Sequence, residues 1–346
     1  MFTYIVLDCI QKISGERTVY NIYHLLTAKK ATQTIQDSNL FELTGYYGID
    51  KSLRREDYDL VIQSLAEQGY IQLHQDQTAI LLQKGESYLQ KLEGEFQAII
   101  CFDGTRFHQS GQQFANHLLL FVQTLTYMHQ KQTHFIPIIE DAATQQYVKQ
   151  VWYHYRQQAS TILLKTLYRE LYQLLNKYPA DMAGLFVDHL TTRERVGLST
   201  YQIAEKYKLS LLDVSVSYTN IIHDICRHIL DTDNMSLLSS LYPHRQPSVM
   251  ISESAKQTQR LLSKNLSMAE IAAMRKLKIN TVMDHIIEIA YITNNFHWQP
   301  YVSDIQYQQI KQVLQQLTSR KLKNIKERLP EEISYFQIQL VMALEK

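Results

Sequence analysis

The sequence predicts a mainly α fold, with an N-terminal winged helix carrying a small β-hairpin, a helical middle and a C-terminal helix-turn-helix domain. Three observations carry that expectation. Only 10 glycines and 6 prolines interrupt 346 residues, and long runs of Leu, Ile, Tyr and Gln leave little room for loops. The front of the chain reads as helices, then two short strands, then a helix. Residues 267–289 read as two short helices joined by a tight turn. The expected segments are 1–94 (winged helix), 95–190 (helical middle), 191–249 (a degenerate helix-turn-helix unit and linker) and 250–346 (the C-terminal domain).

In the first segment, a leading helix is followed by Val19, Ile22, Tyr23 and Leu26 at helical spacing, and later by Tyr58, Val61, Ile62 and Leu65. Gly69 ends the second of these helices as a C-cap. Residues 70–73 and 79–82 are the strand candidates, joined by polar residues 74–78, and Lys84-Gly85 leads into a closing helix through Tyr88, Leu89 and Leu92. That order is the winged-helix order.

The middle carries two apolar stripes, Phe114, Leu118, Phe121, Leu125 and Met128, then Leu164, Leu167, Leu171, Leu174 and Tyr178. Such stripes read as core or helix-pairing seams. The run Trp152-Tyr153-His154-Tyr155-Arg156 has the residue types that stack on unpaired bases, although aromatic clusters on helices ordinarily pack.

A weak internal repeat follows. Residues 198–214 align with 266–282 at a constant offset of 68, so that Ile203-Ala204 matches Ile271-Ala272 and Val214 matches Val282. The first copy has Tyr207 where the second has Arg275, and its second helix opens Leu211-Leu212-Asp213, a pattern for packing more than for phosphate. Residues 231–249, with Pro243 and Pro247, are the expected linker between the copies.

In the second copy, Ser267 and Glu270 form a capping box, and the helix they open places Ile271, Ala272 and Met274 on its buried side. Ala272 is small enough for two helices to cross. Asn280 or Thr281 caps the next helix, which turns Val282, Ile286 and Ile289 inward and leaves Thr281, Met283, Asp284 and His285 outward, as a recognition helix presents to a major groove. Six cations, Lys256, Arg260, Lys264, Arg275, Lys276 and Lys278, surround this unit, and a second basic run follows at Arg320, Lys321, Lys323 and Lys326. Phosphate contact is their natural use. The bland alternative is a small three-helix unit that docks a protein.

With the residues from 305 to 344, the Ile271-Ala272, Arg275, Thr281-Val282 and His285-Ile286 pattern resembles the helix-turn-helix domain at the C-terminus of many bacterial RecQ-type helicases. Residues 40–51, with Gly45 and Gly48-Ile49-Asp50-Lys51, sit between helices as in the winged helix that follows the RecQ helicase core. That resemblance implies that the wing and nearby basic residues meet duplex DNA near the strand-separation point. Here those would be His74 at the wing tip and Lys51, Arg54 and Arg55 near the start of the second helix, unless they are simply solvated. A RecQ-like winged helix and tail without the helicase core resembles the YpbB family of Firmicutes. It implies an accessory subunit that binds forked or branched DNA and supplies these modules in trans to a RecQ-type helicase, in repair or recombination. The competing class is a helix-turn-helix transcription regulator, which would need a dimer on a two-fold operator.

Composition bounds the rest. A net charge of +1 means that DNA binding must come from local patches and be modest in affinity. The three cysteines, Cys9, Cys101 and Cys226, suit a reducing cytoplasm and build neither a disulfide framework nor a four-cysteine zinc site. His223, Cys226 and His228 share a helix, but the two histidines point to different sides, so no metal and no cofactor is expected. No phosphate-cradling Gly-x-x-x-x-Gly-Lys-Ser/Thr loop or nucleophile elbow occurs, so the chain reads as a non-enzyme. Residues 2–10 are apolar but too short to span a bilayer and lack a basic start, so a cytoplasmic, nucleoid-associated protein is the expectation.

Overall fold

The structure, a computed structural model, describes residues 1–232, 236–243, 251–293, 295–317 and 321–345. Along them run α1 (Phe2–Ile13), α2 (Val19–Leu26), α3 (Thr32–Leu40), a 3-10 turn at Thr44–Tyr46, and α4 (Arg55–Glu67). The strands β1 (Ile71–Leu73) and β2 (Ala79–Leu81) follow, then α5 (Gln83–Phe96), α6 (Gly104–Phe107), α7 (Ser110–His129), α8 (Ala142–Tyr155), α9 (Ser160–Leu175) and α10 (Ala180–Asp188). The chain continues through α11 (Thr200–Tyr207), α12 (Leu211–Asp231), α13 (Ser236–Leu241), α14 (Glu253–Leu262), α15 (Met268–Arg275) and α16 (Ile279–Ile292). It closes with α17 (Asp304–Gln316), α18 (Leu322–Lys326) and α19 (Tyr335–Leu344). The expected mainly α fold with one small hairpin is what the chain adopts.

These elements fall into two compact units that do not follow the four expected segments. One comprises Met1–Ile5, Gly48–Leu53 and Ser87–Ser248; the other comprises Val6–Tyr47, Arg54–Glu86 and Val249–Lys346. The elements from α2 to β2 therefore share a unit with the C-terminal domain.

The first unit is built on α7. Its stripe Phe114, Leu118, Phe121 and Leu125 is fully buried, and α8, α9, α12 and α13 pack around it with Leu163, Leu167, Leu174, Ile221 and Ile225. Both stripes read in the middle segment are thus core, apart from Met128, which is half-buried outside the cluster. The stretch expected to be a linker instead contributes α13, whose Leu237, Leu238 and Leu241 are buried in this core. The buried Glu170 carboxylate accepts the Leu237 and Leu238 amides at 3.2 and 2.9 Å, holding the start of that short helix. Leucines so placed cannot be a spacer. Pro247 lies outside the described residues. In the aromatic run, Trp152 and Tyr155 pack against the core and Tyr153 stays 48% exposed, with the Arg156 guanidinium 4.5 Å from its ring centre.

In the second unit the helices and the hairpin follow in the expected order, whereas the closing helix α5 belongs to the first unit from Ser87 on. β1 and β2 pair antiparallel, Ile71 with Leu81 and Leu73 with Ala79, and an isolated bridge between Thr18 and Thr78 adds the chain before α2 to the wing. Gly69, at φ +70°, turns the chain out of α4: its amide bonds the Ala66 carbonyl and the Tyr70 amide reaches back to Leu65, the glycine-terminated close expected there. Tyr58 is fully buried and donates its hydroxyl to the Val19 carbonyl at 2.8 Å, fastening α4 to α2. Helix α3 was not legible in the sequence. Its Asp37 is buried and collects Arg17, Asn21 and Gln33, at 3.0, 2.9 and 2.8 Å.

Helix α16 is the axis of this unit. α14, α15, α19 and α3 all pack on it, and its residues from His285 to Tyr291 are buried on every side. Gln36 of α3 accepts a hydrogen bond from Gln339 of α19, and Leu40 joins the core formed by Ile271, Val282, Ile286 and Val341.

Candidate nucleic-acid interface

The helix-turn-helix at α15 and α16 is set by local chemistry. Ser267 accepts the Glu270 amide through its hydroxyl while the Glu270 carboxylate accepts the Ser267 amide at 2.8 Å, the capping box read from the sequence. Lys276 leaves α15 in the left-handed region, φ 53° and ψ 43°, and the Leu277 amide then bonds the Ala272 carbonyl at 2.9 Å. Lys278 is the residue that caps α16, not Asn280 or Thr281 as expected, and it does so without a side-chain bond. Ile271, Val282, Ile286 and Ile289 are buried as the spacing predicts, but Met274, expected inside, is 62% exposed.

Two residues expected at the DNA face are engaged within the unit, His285 buried and Arg275 half-buried. His285 is 4% exposed, and its Nδ1 lies 2.9 Å from the Thr258 hydroxyl of α14. Arg275 donates to that same hydroxyl, to the Ser254 carbonyl at 2.8 Å and to the Ser254 hydroxyl at 2.8 Å, with Nη1 3.4 Å from His285 Nδ1. Arg275 thus ties α14 to α15 and α16. Because the Thr258 oxygen accepts from Arg275, its proton goes to His285 Nδ1, leaving the imidazole neutral with its own proton on Nε2. Burial, then the arginine, pushes the His285 pKa down to about 4. Nearby, the fully buried Glu288 carboxylate accepts the Ser252 amide and the Ser252 hydroxyl, pinning the start of α14. The helical pattern could not show this, because α16 is packed on the side the pattern left polar.

What the surface offers is the turn and the first turn of α16. Lys276, Lys278 and Asn280 are exposed, Thr281 is half-buried, and Lys276 and Lys278 have no acceptor among the described residues. Arg260 and Lys264, at the end of α14, are exposed as well. The N-terminal residues of a recognition helix are the ones that reach bases, so this is the part of the unit suited to DNA. In the second basic run Lys321 and Lys323 are exposed. Lys326 is spent, since its ammonium donates to the Pro330, Glu331 and Ile333 carbonyls at 3.1, 3.0 and 2.6 Å. Arg320 lies outside the described residues.

The winged-helix candidates are weaker. Arg54 forms a bidentate pair with Asp57 at 2.7 and 2.8 Å. Arg55 lies 3.5 Å over the Tyr20 ring centre and bonds Asp59 at 3.3 Å. His74 is half-buried, and the wing loop carries Asp76, whose carboxylate is held low by accepting the Thr78 hydroxyl and amide. Such local pairs compete with phosphate. Lys51, by contrast, belongs to the first unit, where it is exposed beside a pocket.

The internal repeat is structural. α11 opens with a capping box at Ser199 and Gln202, and Lys208 closes it at φ 55° and ψ 42°, with the Leu209 amide on the Ala204 carbonyl at 3.0 Å. Position for position these match α15 and its turn. In this copy the Asp188 carboxylate accepts from Arg195, Lys206 and Tyr207, while Lys208, at the position of Lys276, is exposed. Of the residues read there as packing, Val214 is fully buried but Leu211 is 48% exposed.

Two capped helices at a tight left-handed turn, with a basic, exposed start to the second, define a helix-turn-helix protein of the DNA-binding class. Residues 254–342 match a protein-family model described as a helix-turn-helix domain. Over 342 residues the chain is 28% identical to "Protein YpbB" of Bacillus subtilis (strain 168), covering 99% of this chain and 96% of that protein. The resemblance to the YpbB family therefore extends along nearly the whole sequence. No solved structure gives a significant match. No helix among the described residues is long and apolar enough to cross a membrane.

Proposed function

We propose that this protein is a DNA-binding accessory subunit of a RecQ-type helicase, without nucleotide hydrolysis of its own, working on forked or branched DNA in repair or recombination. The observation that carries the reading is the exposed start of α16, where Lys276, Lys278 and Asn280 stand together at the turn. The winged-helix elements from α2 to β2 in the same compact unit support it, since one body then carries parts of two folds that bind DNA. A net charge of +1 makes solitary binding weak, and tethering to a motor would raise the local concentration of both modules at the fork.

The test is unwinding of a forked duplex by a RecQ-type helicase from the same cell, with and without this protein. Stimulation that disappears with the Lys276→Ala, Lys278→Ala double variant is the expected result. Failure of the two proteins to co-purify, with a footprint on a palindromic operator, would assign a transcription regulator instead.

A further inference from the structure

The first compact unit holds a pocket of about 220 Å³ that the exposed turn at Lys276 and Lys278 does not use. It opens at the start of α7 and is lined by Gly111, Lys51, Ser52, Tyr218 and His223, among others. At about 30 Å³ per molecule it has room for several waters. We propose that this pocket binds a compact oxyanion of the phosphate class.

His223 carries the argument. The ring is 2% exposed, and its Nδ1 accepts the Asp103 amide at 3.2 Å. That bond places the proton of the neutral ring on Nε2, which makes no hydrogen bond among the described residues. The Nε2–H is therefore a donor without an acceptor among the described residues, on a side chain only 2% exposed that lines the pocket. A donor so enclosed takes a water or an anion as its acceptor.

Two further observations agree. No side chain caps the first turn of α7, since Gln109 at its N-cap makes no such bond, so backbone amides of a 20-residue helix remain to face an anion. The second is charge: burial holds the His223 pKa down to about 3, and the charges of Arg227, His108 and Lys51 push it the same way. Those charges also favour an anion beside the ring. Asp50 lines the pocket too, but its carboxylate is occupied by the Ser52 amide and hydroxyl at 3.2 and 2.8 Å. Gly111 leaves the space open, since a Cβ there would sit 3.2 Å from His223 Cδ2 and 3.5 Å from Nε2.

The proposal goes beyond the helicase reading and stands without it. The experiment is a titration of the full chain, labelled with ¹⁵N-histidine, with inorganic phosphate at constant pH and ionic strength. A saturable shift of the His223 side-chain signals is expected, and Gly111→Ala should weaken it about tenfold or more, roughly 1.4 kcal/mol of binding energy. Parallel titrations use a thymidine dinucleotide with and without a 5′-phosphate. A response to the phosphorylated dinucleotide but not to inorganic phosphate would assign the anion to a nucleic-acid end, whereas a response to inorganic phosphate would assign a free ion. His223 signals that none of these moves in the unaltered protein would show a pocket that holds only water, and would overturn the proposal. An undiminished response in a folded Gly111→Ala protein would place the anion elsewhere and overturn it equally.

Discussion

At the scale of single residues, the arginine and histidine at 275 and 285 show what a helical pattern conceals. Both occupy positions that a lone helix pair would leave to solvent, and both are claimed by Thr258 and Ser254 of the preceding helix. Neither serine nor threonine there carries a signal in the sequence, because a hydrogen-bonded polar residue on the buried face of a helix reads as exposed. Replacing Arg275 with Ala should cost about 2–3 kcal/mol in chemical denaturation, the usual penalty for stripping a partner from a buried polar network. Lysine should not rescue it, lacking the fork that reaches both Ser254 and Thr258. His285 adds a pH dependence. Its pKa falls on folding from the ordinary 6.5 to about 4, so between those values the unfolded chain binds the proton and the folded chain does not. Its contribution to stability is therefore complete above about pH 6.5 and is lost as pH falls toward 4. Imidazole resonances of His285 that remain in the neutral form down to about pH 5 would verify this.

At the scale of elements, the parts with local signals were legible. The capping box at Ser267 and Glu270, the glycine close at Gly69 and the hairpin each rest on chemistry within a few residues, and each stands where the sequence placed it. Helix α3 has no apolar stripe: of Thr-Gln-Thr-Ile-Gln-Asp-Ser-Asn-Leu, only Ile35 and Leu40 are apolar, and the helix is held through Asp37 and its three partners. α13 was read as linker because it lies among prolines and serines, and only its docking beside Glu170 makes it helix. The turn at Lys276 permits a clean test of its two roles. Lys276→Gly removes the strain of a left-handed lysine, about 1 kcal/mol offset by the greater entropy of glycine in the unfolded chain, so thermal stability should stay nearly unchanged. DNA affinity should nonetheless fall, and a variant that loses stability together with binding would make Lys276 a structural residue only.

At the scale of the whole molecule, the sequence showed the modules but not their grouping. Periodicity and caps act over tens of residues, whereas the second unit joins Val6–Tyr47 and Arg54–Glu86 to Val249–Lys346 through contacts such as Gln36 with Gln339. A fragment of residues 1–94 should consequently fail to fold, exposing the faces that α16 and α19 cover on α3, and dispersed amide resonances from it would contradict the grouping. The same grouping decides which cations remain for DNA: Arg275 and Lys326 are consumed inside the unit, and Lys276 and Lys278 are left at its surface. The most direct measurement is the salt dependence of binding to a forked duplex, comparing the unaltered protein with the Lys276→Ala, Lys278→Ala double variant. Each phosphate contact contributes about 0.9 to the slope of log affinity against log salt, so the double variant should lose about two units and bind all sequences alike more weakly. An unchanged slope, with the protein still folded, would show that this turn docks a protein partner and that its lysines do not meet DNA.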